Sequence, residues 1–263
     1  MPVTVDRRHL VIMGLAAGTL GISAPVFAPA FAQDAPIPAR PFVEAPVAHP
    51  IPHTSKPMKI GVIGSGNIGG TVGELFAKAG HQVMYSDRDE ANAKAQAARV
   101  QGTRAGTVAE AIAFGDVLLV AIPFGAWPSF AKEHGAALKG KIVMDPTNPN
   151  PTRDGEMAKI VLTKPSTGEY VAEFLPGVKF IRAFNTTSYA SFAKEAGRPG
   201  EKMGIPVAAS DAATLAIGVR LVNELGFDAV PVSGGLHGSA KFELRGPAAG
   251  VKTAAELKTI MGV

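Results

Sequence analysis

The amino-acid sequence predicts an α/β fold, a doubly wound, mostly parallel sheet with a small C-terminal extension. Three observations predict it. Short apolar runs of strand length alternate with segments of helical period along most of the chain, the pattern of successive βαβ units. The first apolar run leads directly into Gly64-Ser65-Gly66-Asn67-Ile68-Gly69, a glycine spacing that belongs between a strand and a helix. The 263 residues are 46 % hydrophobic and 18 % charged, with 30 glycines, a balance that builds a packed core rather than a disordered or collagen-like chain.

Residues 1–32 read as an address and are set apart from the fold. Arg7-Arg8 stand just before the apolar run Leu10–Leu20, and the segment ends in Ala30-Phe31-Ala32, the small-x-small pattern a signal peptidase reads. Together they resemble a twin-arginine signal peptide with Gln33 as the mature N-terminus. A membrane anchor fits less well, because Pro25 and Pro29 interrupt the stretch and a cleavage pattern follows. The expected location is therefore outside the cytoplasm, periplasmic or secreted, with no stable membrane anchor after cleavage. That route carries proteins already folded, often with their cofactor in place.

Residues 33–57 are rich in Pro and Ala and read as an extended linker. His49 and His53 stand four apart there, a metal spacing only on a helix, and Pro50 and Pro52 forbid the helix. No metal site is expected. The absence of cysteine excludes disulfides, thiolate catalysis and zinc–sulfur centres. A net charge of +4 without a dense Lys/Arg run sets nucleic-acid binding aside.

Residues 58–200 form the expected dinucleotide-binding domain of Rossmann type. Met58–Ile63 is a buried strand. A helix follows with Ile68, Val72, Leu75, Phe76 and Ala79 on one face, stopped by Gly80. Gln82–Ser86 is the second strand, and Asp87 lies 21 residues beyond Gly66. Gly64 lets the chain leave the strand sharply, Gly66 lets a pyrophosphate reach the backbone, and Gly69 lets helix and strand pack closely. The helix start offers N–H groups and a positive dipole end. At Ser86-Asp87-Arg88 two signals conflict. An aspartate at this strand end accepts from ribose hydroxyls and favours NAD, whereas an arginine beside it suits the 2′-phosphate of NADP. At these residues the choice between NADP and NAD stays open.

Further on, Val108–Phe114 reads as a short helix and Asp116–Ile122 as an apolar strand stopped by Pro123. Lys141–Met144 is a strand that runs into the proline-rich loop Asp145–Asn150, and Val178–Phe184 is another, ending at Asn185. Residues 201–263 are expected to add strands and a helix that complete the sheet and a substrate cleft. Ile205–Ala209 is a strand, and Ala212–Leu225 a helix with Leu215, Val219, Val222 and Leu225 on one face. Ser210 or Asp211 caps that helix, Gly226 ends it, and Phe227–Val232 is the last strand. In a doubly wound sheet the ligand lies across the carboxyl ends of the strands. The segments to watch are thus Gly64–Gly69, Ser86–Arg88, Pro123–Gly125, Thr147–Asn150 and Asn185–Ser188.

These residues resemble a known family, the NADP reductases that use the deazaflavin coenzyme F-420. Membrane ferrireductases of the STEAP type carry a related domain. The resemblance runs from about Met58 to Pro247. It is carried by Met58–Gly69, Gly80-His81-Gln82-Val83, Val117–Pro123, Arg182-Ala183-Phe184-Asn185-Thr186, Gly235-Leu236 and Ala240-Lys241-Phe242-Glu243. It implies that Ser65, Asn67 and Ile68 line the pyrophosphate, that Ala121, Ile122 and Pro123 border the nicotinamide, and that Arg88 meets the 2′-phosphate. The family usually has Ser or Thr where this chain has Asp87.

The chain shows no G-x-S-x-G elbow, no H-E-x-x-H and no compelling Lys or His base at a strand end. Hydride transfer between two flat rings asks for proximity and orientation more than for an acid. The expected function is that transfer, between a nicotinamide and a flavin-like or deazaflavin-like ring or a small acceptor. The nicotinamide would lie near Ile122–Phe124 and Asn185. The second substrate would lie against Phe124, Asn148, Leu236 and His237. No catalytic residue is assigned; His237 could donate a proton but reads more readily as a loop residue. His81 and His134 look structural, and Trp127 suits the core better than a pocket wall. Hydroxyacid dehydrogenases and imine reductases share the first domain, but too little chain remains after Asn185 for their helical second domain. The competing class is a non-catalytic, exported NAD(P)-binding sensor or accessory module. A homodimer is one oligomeric state open to either.

Overall fold

The computed structural model describes residues 42–244 and 246–263; the export signal expected at 1–32 and the first part of the linker lie outside them. From Lys59 the chain alternates as the sequence predicts. The first half runs β1 (Lys59–Ile63), α1 (Asn67–Lys78), β2 (Gln82–Ser86), α2 (Glu90–Arg99), the two-residue β3 (Arg104–Ala105), α3 (Val108–Phe114) and β4 (Val117–Val120). A 3-10 turn (Phe124–Ala126) leads into α4 (Trp127–Leu138), β5 (Ile142–Asp145), α5 (Pro151–Val161), α6 (Thr167–Glu173) and β6 (Lys179–Arg182). Then come α7 (Tyr189–Glu195), β7 (Gly204–Ala209), α8 (Ala212–Glu224), β8 (Asp228–Pro231), a 3-10 segment (Gly235–Phe242) and α9 (Ala254–Met261).

The strands form one sheet in the order β3-β2-β1-β4-β5-β6-β7-β8. The order reverses at β1/β4, which makes that pair the topological switch point. From β3 to β6 every pairing is parallel, with Ile63 level with Ser86 on one side and Val120 on the other. Nearly uninterrupted apolar strands such as Val117–Val120, buried at every position, follow from helices covering both faces. Val72, Leu75, Phe76, Ala93, Phe192, Leu221 and Val222 pack α1, α2, α7 and α8 on one face. Ile112, Phe130, Val161 and Val171 pack α3–α6 on the other.

β7 departs from the parallel pattern. It pairs antiparallel with β6, Ile181 opposite Ala209, and β8 then runs parallel to β7. Between β6 and β7 the chain forms the seven-residue α7 and enters β7 from the edge where β6 ended. Between β7 and β8 the thirteen residues of α8 span about 20 Å, enough for an ordinary crossover. The sheet-facing side of α8 keeps Val222 and Leu225 of the expected face, both fully buried, but is rotated over its first half. Thr214, Gly218, Leu221 and Val222 are buried, while Leu215 and Val219 pack only at the margin. Gly218 sets this rotation, because a Cβ there would come within 2.9 Å of Ile181 and 3.0 Å of Val207. Asp211 caps the helix by accepting from the Thr214 N–H, and Ser210 instead accepts from the Phe180 N–H at 2.6 Å.

Residues 42–57 of the expected linker are extended and packed on the domain. The Val43 N–H donates to Asn67 Oδ1 at 2.7 Å, Ala48 N–H to the Ala193 carbonyl at 3.0 Å and Thr54 N–H to that of Ala79 at 2.8 Å. Ile51 enters the main core, and the Phe42 ring lies under the Arg99 guanidinium at 4.4 Å. Four prolines between 46 and 57 keep this strap extended with few donors to satisfy.

At the opposite end of the sheet from the strand termini that matter below, His81 is sealed in. Its Nδ1 accepts from the Met58 N–H at 3.2 Å, so the proton sits on Nε2, 3.3 Å from Glu224. Burial holds the imidazole below its ordinary pKa and Arg220 adds to this, while Glu224 opposes them. A histidine harder to protonate folded than unfolded stabilises the fold above its unfolded pKa of about 6.5 and ceases to as pH falls below it. The wild-type melting temperature should therefore drop more steeply than that of His81→Gln between about pH 7 and pH 5. Parallel slopes in thermal melts across that range would contradict this.

Candidate functional site

Because β1, β2, β4, β5 and β6 are mutually parallel, the five segments singled out in the sequence leave the sheet at one edge. Hydrogen bonds join them into a continuous rim. Gly64 N–H donates to the Ser86 carbonyl at 2.9 Å and Ala121 N–H to that of Ile63 at 2.8 Å. Asn148 Nδ2 donates to the Asn185 carbonyl at 2.8 Å, and Asn185 Nδ2 to that of Phe242 at 3.1 Å.

At the switch point the backbone approaches itself as closely as it can. Gly64 has φ +89°, and a Cβ on it would lie 2.7 Å from the Ala121 carbonyl oxygen. A Cβ on Gly69 would fall inside the contact radius of the Gly64 carbonyl oxygen and 3.1 Å from the Ala121 side chain. The start of α1 is thus pressed against β1 and β4. Gly66, its N-cap, supplies no side-chain cap, and the first turn holds no acidic residue. Among the described residues, seven α-helices have a side-chain cap, from Asp89, Thr107, Asn150, Ser166, Ser188, Asp211 and Thr253. The two without one are α1 and α4, which follow the two strands of the switch point. At α1 the open N–H groups and positive dipole end fit an anion such as a pyrophosphate, whereas α4 continues the 3-10 turn, whose Gly125 and Ala126 N–H groups are bonded to Asp154 and to the Pro123 carbonyl.

At the end of β2, Ser86 is buried and donates its hydroxyl to the Val62 carbonyl. Asp87 turns toward the glycine-rich turn, and its Oδ2 accepts from the Ser65 N–H at 2.8 Å and the Ser65 hydroxyl at 3.1 Å. Arg88 is exposed. Asn67, Ile68, Ala121, Ile122 and Pro123 are partly exposed along the crevice.

Beyond the switch point the rim rests on a buried guanidinium. Arg182 is fully buried. Its Nη1 donates to Asp145 Oδ2 at 2.9 Å and to the Thr147 carbonyl, and its Nη2 to Asn148 Oδ1 at 3.2 Å. Glu243 lies 3.6 Å from Nη2 and accepts from the Thr167 N–H and hydroxyl at 2.9 and 2.8 Å. Burial pushes the Asp145 carboxyl up, while Arg182 and Thr147 pull it back. Phe184 has φ +59°, strain that an ordinary loop would shed, and its ring is locked edge-on against Phe192 and Phe227. That lock aims Asn185 at the rim.

The residues expected around a second substrate divide. Asn148 stands in the rim, partly exposed. Leu236 joins the apolar cluster of Phe124 and Tyr170, and its carbonyl accepts from the Ser166 hydroxyl at 3.1 Å. Phe124 is fully buried with its ring 6.2 Å from that of Tyr170, so it forms floor rather than wall. His237 is exposed, with Nδ1 3.1 Å from Glu169, on the outer side of the 3-10 segment. Trp127 is buried, donating to Thr147 at 2.9 Å. Sequence reasoning missed the Arg182–Asp145–Glu243 network and the latch in which Asp154 accepts from the Gly125 and Asn150 N–H groups at 3.0 and 2.8 Å.

A doubly wound sheet binds its ligand at such a switch point. Residues 59–149 match the family described as NADP oxidoreductase, coenzyme F420-dependent. Among curated proteins none matches. Of solved structures, the hypothetical protein SMa0349 from Sinorhizobium meliloti is 22 % identical with a TM-score of 0.63, covering 76 % of this chain and 96 % of its own. A candidate F420-dependent NADP-reductase from Arthrobacter sp. FB24 is 23 % identical with a TM-score of 0.60, covering 70 % and 87 %. The 3-hydroxyisobutyrate dehydrogenase of Mycobacterium tuberculosis, 16 % identical with a TM-score of 0.50, matches over 70 % of this chain but 57 % of its own. At these identities the likeness is one of fold.

Proposed function

We propose that this protein is an exported oxidoreductase that moves a hydride between a nicotinamide dinucleotide and a second substrate, a flavin-like or deazaflavin-like ring or a small acceptor. The observation that carries this reading is the open start of α1, without a side-chain cap or an acidic residue in its first turn, set at the crevice between β1 and β4. The family of residues 59–149 and the reductase description of the Arthrobacter neighbour support the same chemistry. A bound nicotinamide supplies or takes two electrons and a proton as hydride. The chain's own residues bind and orient. The N–H groups at Gly66–Ile68 hold the pyrophosphate, and the half-exposed Ala121–Pro123 strip borders the nicotinamide. Asn148 and Asn185, tied to each other, fix the outer wall, and Leu236 offers an apolar surface on which a flat acceptor docks.

The test begins with mass spectrometry of any nucleotide that co-purifies and with NADH and NADPH titrations. Single-turnover reduction of flavin, deazaflavin and artificial acceptors follows. Asn148→Ala and Asn185→Ala should slow transfer about tenfold or more through lost orientation while changing nucleotide affinity little. No affinity for either nucleotide would defeat the proposal. Tight binding with no turnover on any acceptor would favour the sensor or accessory reading.

A further inference from the structure

We infer that Asp87 makes this site selective for NAD(H) against NADP(H), although the family of residues 59–149 is described by NADP. The inference rests on the dinucleotide-binding reading above. Asp87 ends β2 beside the glycine-rich turn, where the adenosine ribose of a dinucleotide bound across the switch point must lie. A side chain there either accepts hydrogen bonds from the 2′- and 3′-hydroxyls or meets a 2′-phosphate.

The carboxylate is held in place from both sides. Oδ2 accepts from the Ser65 N–H and hydroxyl, and Oδ1 accepts from the Asp89 N–H at 3.1 Å. Swinging away from a phosphate would strip the half-buried turn of those acceptors. The same bonds consume the small hydroxyl that could otherwise serve a phosphate, because the Ser65 Oγ–H is donated to Asp87. Nor is the next helix start open to an anion. Asp89 caps α2 by accepting from the Ala91 N–H at 3.0 Å, and Glu90 occupies its first turn. The turn 86–90 therefore places Asp87 and Asp89 beside the guanidinium of Arg88, with the third carboxylate, Glu90, paired to Lys94 at 2.9 Å. A dianionic phosphate placed here faces like charge at close range, whereas ribose hydroxyls find an immobilised acceptor.

Equilibrium titrations of NADH and NADPH by nucleotide fluorescence and calorimetry test this without depending on turnover. The wild type is expected to bind NADH at least about tenfold more tightly than NADPH. Asp87→Asn, which keeps an acceptor for Ser65 but loses the charge, and Asp87→Ser should bring the two affinities within about threefold of each other. Melting temperatures of both variants report whether the turn stays folded, and Asp87→Asn is the variant expected to keep it. NADPH binding as tight as NADH in the wild type overturns the inference and leaves the dinucleotide reading standing. An NADH preference that survives both substitutions overturns the assignment to Asp87. Binding of neither coenzyme removes the reading beneath it.

Discussion

Gly69→Ala is expected to abolish measurable nucleotide binding, with a loss of at least about 100-fold in affinity. The added methyl would meet the carbonyl oxygen of Gly64 and the side chain of Ala121, and the first of these is backbone that cannot rotate away. The start of α1 would have to lift from β1 and β4. Those N–H groups matter only where they converge, so a shift on the order of 1 Å costs binding far more than it costs folding. Overpacking of this kind costs about 1–3 kcal/mol of stability, which thermal melts measure separately. Gly102→Ala is the control. Gly102 has positive φ, +80°, and a Cβ there meets nothing within 4 Å, so it should lose some stability through backbone strain and keep full affinity. Equal effects of the two substitutions on binding would mean that the tight packing of α1 on the switch point is not what holds the nucleotide.

The contrast between those two glycines shows what a sequence displays. The spacing of Gly64, Gly66 and Gly69 is legible because the whole turn from β1 into α1 falls within six residues, although the atoms that crowd Gly64 and Gly69 include those of the distant Ala121. β2 at Gln82–Ser86 and α3 at Val108–Phe114 were legible at their full extents for the same local reason, apolar period bounded by breakers. The direction of β7 was not, because nothing in the run Gly204–Ala209 declares from which edge of the sheet the chain enters it. Residues 42–57 have no period, so their docking on α1, α7 and α8 leaves no trace in the pattern. Arg182 and Phe184 stood in a block that resemblance marked, yet nothing local declared that the guanidinium would be buried or that the phenylalanine would take φ +59°. Phe124 failed in the opposite sense: its place just after β4 suggested a pocket wall, but a large apolar ring there packs inward on Tyr170.

Arg182→Met should cost about 3–5 kcal/mol, because it leaves Asp145 as a buried carboxylate without its counter-charge. In a domain of this size that lowers the melting temperature by about 10 °C. Three further consequences separate this cause from simple loss of packing. Asp145→Asn with Arg182→Met should recover much of the loss, since removing both charges is nearly neutral where removing one is not. The single variant should become relatively more stable as pH falls from about 7 toward 4. Burial already raises the Asp145 carboxyl; without Arg182 it rises further, and a carboxyl easier to protonate folded than unfolded favours the fold at low pH. The rim should loosen as well. Arg182 holds the Thr147 carbonyl and Asn148 Oδ1, and Asn148 in turn holds the Asn185 carbonyl. Transfer to an acceptor should then weaken more than affinity for the nucleotide, whose pyrophosphate site at α1 lies across the switch point from this network. A variant that melts within about 2 °C of wild type, or whose loss is insensitive to pH, would show that the Arg182–Asp145 pair is not what braces this edge of the sheet.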